Sequence, residues 1–162
     1  MKKIISLSVI LMLILGSFAA AQEAKTKEMP ESKNAPKFDP ARDSEKDLAD
    51  AVEKAKESGK YILLDVGGEW CIFCKRLDIF LYDNEELNKM MKDAFEVVKV
   101  NYSAEFKNEK FLSRYPKIPG YPHFFILDKK GTFVQSQDTS IFEDGGSYKI
   151  EKLKAFFTIW GK

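Results

Sequence analysis

Apolar positions along this chain change their spacing in a way that marks out alternating helices and strands. From Ser44 onward, Leu48, Ala51, Val52 and Ala55 recur at three- and four-residue intervals until Gly59, the stripe of an amphipathic helix with a stop residue behind it. Ser44 and Asp47, three apart, resemble a capping box at its start. The next run, Tyr61 to Val66, is apolar except for Asp65, as in a strand covered on both faces of a parallel sheet. A helix through two cysteines comes next, with Leu77, Phe80 and Leu81 on its inward side. Asp83-Asn84 breaks it and caps a second helix, whose stripe is Leu87, Met90, Met91 and Ala94. Phe95 to Val100 is the next strand, so strand, helical crossover and strand predict a right-handed parallel βαβ unit.

Beyond it the pattern is more broken. A short, weakly periodic helix is expected from Asn108 to Tyr115, and Pro116, Pro119 and Pro122 punctuate the stretch after it. His123 to Leu127 and Thr132 to Gln135 read as two strands joined by the turn Asp128-Lys129-Lys130-Gly131, which makes a hairpin. Ser136 to Gly146 is polar and expected to be a mobile loop. A last helix begins near Lys149, with Ile150, Leu153, Phe157 and Trp160 at helical spacing. There are no internal repeats.

Length and composition bound this picture. At 162 residues, 44% hydrophobic and 31% charged, the chain suits one domain with a real core. Residues 1–21 read as an export signal: Lys2 and Lys3, the apolar run Ile4 to Leu15, then Ala19-Ala20-Ala21 before the expected cleavage point. The alternative is an uncleaved membrane anchor. Residues 22–42, rich in Lys, Glu, Pro and Ala with Phe38 as their one aromatic, suit a flexible, solvated linker. Residues 43–162 are left as the domain. The formal charge of +1 becomes −1 without the signal, which excludes an electrostatic footprint for nucleic acid. Export places the domain outside the cytoplasm, in the periplasm of a Gram-negative cell, where disulfides form.

The candidate chemistry lies at Cys71 and Cys74, the two cysteines of the chain. A loop this short constrains an unfolded chain by only about 2 kcal/mol, against about 4 to 5 for a loop of ~100 residues, so a structural staple is a poor use for it. A helix starting near Cys71 points unpaired N–H groups and its dipole at that sulfur, which favours the thiolate. Cys71 is then the nucleophile in an exposed position, and Cys74, one turn deeper, the thiol that resolves the mixed disulfide. A zinc site needs two more ligands and the chain offers one histidine; a c-type haem link needs His where Lys75 stands. Copper(I) on Cys71, Cys74 and His123, as in an exported metallochaperone, is the alternative from another functional class.

Trp70-Cys71-Ile72-Phe73-Cys74-Lys75 resembles the WCxxCK signature of the thioredoxin family, with Asp65 six residues before the first cysteine, Lys99 on the next strand, and Gly120-Tyr121-Pro122 similar to that family's cis-proline loop. The resemblance covers about residues 44–160. It implies an α/β thioredoxin fold with a central mixed sheet of four to five strands flanked by helices. The lead-in from Gly59 to Asp65, Glu69-Trp70 and Leu81-Tyr82-Asp83 are most similar to the C-terminal periplasmic domain of the disulfide reductase DsbD and to exported thioredoxin-like proteins. Departures are Ile72-Phe73 between the cysteines, Gly67-Gly68 before them, and Tyr121 before the proline. By this resemblance the redox-active Cys71–Cys74 disulfide needs no other cofactor. Asp65 accepts the Cys74 proton, Lys99 and Trp70 support it, and Tyr121 with Pro122 forms an edge for an extended substrate strand. The implied partners are protein thiols or disulfides and a redox donor or acceptor protein, which can be membrane-bound. Ile72-Phe73 carries no cation, so a reducing couple is expected.

Overall fold

The computed structural model describes residues 30–161; the expected signal, residues 1–21, and the first part of the linker lie outside them. Helix α1 spans Ser44–Ser58, with Leu48, Ala51 and Ala55 buried as their spacing requires. Its cap is not the expected Ser44 pair. Asp43 Oδ1 accepts the N–H groups of Glu45 and Lys46 at 2.9 and 3.2 Å. Ser44 is instead buried, where its hydroxyl accepts from Asn108 Nδ2 at 3.1 Å, and Asp47 is taken by Arg42. Gly59 ends the helix at φ 76°, in the left-handed region that glycine reaches without a Cβ clash.

Strand β1 (Tyr61–Gly67) leads into α2 (Ile72–Tyr82), α3 (Glu85–Ala94) and β2 (Phe95–Asn101). Asn84 caps α3 through a bond to the Leu87 N–H. After the four-residue α4 (Glu109–Leu112) come β3 (His123–Leu127) and β4 (Phe133–Asp138). The sheet order is β2-β1-β3-β4, with β1 parallel to β2 and antiparallel to β3, and β3 antiparallel to β4. This is the mixed four-strand sheet flanked by helices that the sequence predicts, and the hairpin turn is held by Asp128 Oδ1 on the N–H groups of Lys130 and Thr132.

The period-two alternation of β1 sorts its side chains between two cores. Ile62, Leu64 and Val66 face α1 together with Val98, Val100, Phe125 and Leu127. Leu63 faces α2, α3 and α5 (Ile150–Trp160) with Phe124, Ile126, Leu153, Phe156 and Phe157. Asp65 shares the parity of Leu63 and pairs in register with Lys99 of β2, so both charges fall beneath α2.

Two segments differ from the pattern-based expectation. Ser136 to Gly146 is not an irregular loop: β4 continues to Asp138, a 3-10 turn covers Thr139–Phe142, and Glu143–Asp144 (β5) pairs with Ser147–Tyr148 (β6). Buried Phe142 anchors it against Phe156, with ring centroids 5.2 Å apart. The linker, for its part, is fastened to the domain from Glu31 on, and Phe38 is only 2% exposed. A single aromatic among charged residues has no periodicity to announce its burial; its partners lie more than two dozen residues away.

Candidate active site

Strand β1 delivers the chain to the site through two glycines. A Cβ on Gly67 would stand 2.6 Å from Cys74 Sγ and 2.9 Å from the Phe38 ring, and one on Gly68 would meet Tyr102 O at 2.6 Å. Side chains there would push the cysteine turn off the strand end. Cys71 is the N-cap of α2: its sulfur accepts the Cys74 N–H at 3.1 Å, and its own N–H donates to Gly68 O at 2.9 Å. The two cysteines form a disulfide at the positive end of the helix dipole. The first turn of α2 is also tied to the β5–β6 ribbon, since Tyr148 Oη donates to Phe73 O and Arg76 Nη1 to Gly146 O.

Exposure at the pair differs from the sequence expectation. Cys71 is 4% and Cys74 1% exposed, because Phe38, Phe73 and Tyr121 close over them. Trp70 is 59% exposed; its Nε1 donates to Tyr102 O at 2.7 Å and its ring meets Tyr121 edge-on. Tyr121 is stacked on Tyr102 with centroids 4.8 Å apart, and burial pushes its hydroxyl up to about 12. The Tyr121–Pro122 peptide bond is cis, and Pro122 O accepts from Thr139 Oγ1 at 2.5 Å.

Beneath the cysteine helix lies a buried charge cluster of three. Lys99 Nζ donates to Asp65 Oδ2 at 2.7 Å and to Asp78 Oδ1, with all three side chains nearly out of water. Sequence reasoning named Asp65 and Lys99 and passed over Asp78. Its signal was its place four residues after Cys74, on the inward stripe that continues through Leu77 and Leu81. Burial pushes the Asp78 carboxyl up to about 7; Lys99 pulls against this and Asp65 adds to it. Burial also works against the Lys99 ammonium, but the two carboxylates outweigh it and raise its pKa. The second oxygen of Asp65 is buried and accepts no hydrogen bond. Phe38 completes the enclosure, its ring centroid 4.0 Å from Lys99 Nζ.

His123, by contrast, is not brought to the cysteines. It pairs in register with Val66, sets its ring edge-on to Phe125 on the α1 side of the sheet, and bonds Ser136 Oγ through Nε2 at 2.8 Å. Burial lowers its pKa. Among the described residues no group of three His, Cys, Asp or Glu side chains is placed to hold a metal ion, and the copper alternative has no support in this geometry.

A CxxC disulfide at the start of a helix that follows an inner strand of this mixed sheet is the arrangement of a thioredoxin-like fold. Residues 43–129, more than half of the chain, match the model of a family described as thioredoxin-like, and the chain belongs to that family. Among curated proteins it is similar to the thiol:disulfide interchange protein DsbD of Pseudomonas fluorescens, 26% identical over 92 residues (56% of this chain and 15% of that one). It is also similar to the DsbD of Colwellia psychrerythraea, 25% identical over 111 residues (68% and 18%). The chain thus spans less than a fifth of the length of these relatives. Among solved structures, a disulphide isomerase from Xylella fastidiosa Temecula1 superimposes with a TM-score of 0.67 at 23% identity, covering 79% of this chain and 98% of that one. The oxidised C-terminal domain of DsbD from Neisseria meningitidis gives a TM-score of 0.58 at 19% identity, covering 77% and 99%. At these identities the structures share the fold.

Proposed function

We propose that the chain is an exported oxidoreductase that reduces disulfides in protein substrates. The observation that carries this is Cys71 standing as the cap of α2 in a disulfide with Cys74, where backbone N–H groups stabilise a thiolate. In the reduced protein the Cys71 thiolate attacks one sulfur of a substrate disulfide, and the other substrate sulfur leaves as a thiolate. Cys74 passes its proton to Asp65 and attacks Cys71 Sγ; the mixed disulfide breaks, the substrate departs with two added electrons, and the Cys71–Cys74 disulfide is formed. A dithiol donor protein returns the electrons. Lys99 anchors Asp65. Tyr121 and Pro122 offer the main-chain edge on which an extended substrate segment lies, and Trp70 flanks it. Residues 1–21 act as the export signal and no cofactor beyond the cysteine pair is used. Among the described residues, no helix is long and apolar enough to cross a membrane.

Three measurements test this. Insulin reduction with dithiothreitol as donor is expected to be accelerated by the wild-type chain and not by Cys71→Ser; equal rates would overturn the proposal. Cys74→Ser is expected to accumulate mixed disulfides with partners through Cys71, while Cys71→Ser is not. Equal trapping would reject the assigned roles. Equilibration with glutathione is expected to give a potential well below the about −120 mV of strong oxidants.

A further inference from the structure

Both cysteines are closed off from solvent, and the parts of the cover differ in how firmly they are built in. Phe73 belongs to α2, with the Arg76 guanidinium over its ring, and Tyr121 is stacked on Tyr102 beside the cis peptide bond. Phe38 sits on residues 30–38, which form neither helix nor strand. What holds that segment is a row of fastenings at the protein surface, each made to the turn or the helix that carries the cysteines. Glu31 bonds Lys75 Nζ at 2.6 Å. Ser32 and Asn34 donate to Asp83 Oδ1 at 2.7 and 3.0 Å. Lys37 lies 3.7 Å from Glu69, whose Oε1 accepts the Phe38 N–H at 2.8 Å. Exposed pairs of this kind are weak and exchange readily with water. The Phe38 ring is seated against the disulfide, facing Gly67 alongside Cys74 Sγ, and over Lys99.

We propose that residues 31–38 form a strap over the redox pair and that Phe38 is its plug, a positioning residue that decides what reaches the disulfide and keeps Lys99 on its two acids. This rests on the oxidoreductase function proposed above and adds how access to that site is controlled. The strap shuts out small thiols. A protein partner that engages the first turn of α2 competes with Glu31 for Lys75 and with Phe38 for the apolar seat, and so lifts the strap as it docks.

The full oxidised chain is reduced with dithiothreitol, which supplies two thiols and both electrons and leaves as its cyclic disulfide while Cys71 and Cys74 take up protons. The rate is followed by the fluorescence of Trp70. Phe38→Ala is expected to react at least tenfold faster than wild type, and Phe38→Leu, which refills part of the seat, less than Phe38→Ala. Glu31→Gln touches nothing in the core, so it remains informative where Phe38→Ala does not fold; it is expected to speed reduction about two- to threefold. Rates equal to wild type in Phe38→Leu and Glu31→Gln would overturn the strap. Insulin turnover by wild type keeps the two conclusions separable. If turnover is absent but reduction depends on Phe38, the oxidoreductase function falls and the strap stands; if turnover is present and reduction is indifferent to Phe38, the reverse holds.

Discussion

Asp78 keeps its proton to about 7 because it is buried beside a second carboxylate, and stability follows from this. Between the ordinary aspartate range and pH 7 the folded chain holds a proton that the unfolded chain has released, so this group makes stability fall as pH rises through that window, by a few kcal/mol at most. Asp78→Asn cannot lose that proton. Urea midpoints measured from pH 4 to 8 are therefore expected to favour the variant over wild type increasingly as pH rises; parallel curves would reject the assignment. Lys99 is the only cation on two buried acids in this cluster, and Lys99→Met is expected to destabilise the fold by about 3–5 kcal/mol, read as a loss of urea midpoint at pH 7. The legibility of these residues was uneven. Cys71, Cys74 and Asp65 stood out because a charge inside an apolar strand and thiols at a strand–helix junction break a pattern, while Lys99 was named through the family resemblance. An acid on a helix that also carries Lys75 and Arg76 is less conspicuous, so Asp78 was not singled out although it lies on the inward stripe of α2.

Elements were legible wherever one face alone is buried. Leu87, Met91 and Ala94 lie on the buried stripe of α3 and Leu48, Ala51 and Ala55 on that of α1, as their spacing required. Caps were less so, because neighbouring polar residues compete for the same role. Asp43 won over Ser44 when Asn108, from across the fold, took up the Ser44 hydroxyl. Asp43→Ala is accordingly expected to cost about 1 kcal/mol, measured by thermal or urea unfolding. Ser44→Ala would cost through Asn108 instead. The segment after Gln135 was misjudged for a similar reason. Its one large apolar residue to be fully buried, Phe142, is seated by the aromatic cluster of α5 and Phe95, and no local spacing encodes that.

For the molecule as a whole, the disulfide closes so short a loop that reduction should cost at most about 2 kcal/mol through chain entropy. The reduced chain is expected to keep its secondary structure, with circular dichroism spectra that superimpose on those of the oxidised chain and a modestly lower unfolding midpoint; cooperative unfolding on reduction would contradict a redox role. Sequence alone determined the order of helices and strands, the parity that puts Asp65 and Lys99 under the cysteine helix, and the pair of thiols at its start. These come from backbone periods of two and 3.6 residues and from spacing within a few residues. Tertiary structure alone decided that Phe38 returns to cover the sulfurs, that Asp78 makes the charge cluster a triad, and that His123 faces away from the cysteines. Each of these depends on which distant surfaces are pressed together; the helical stripe marks Asp78 as inward, but neither its pairing with Lys99 nor the burial of Phe38 and His123 has a local trace in the order of residues.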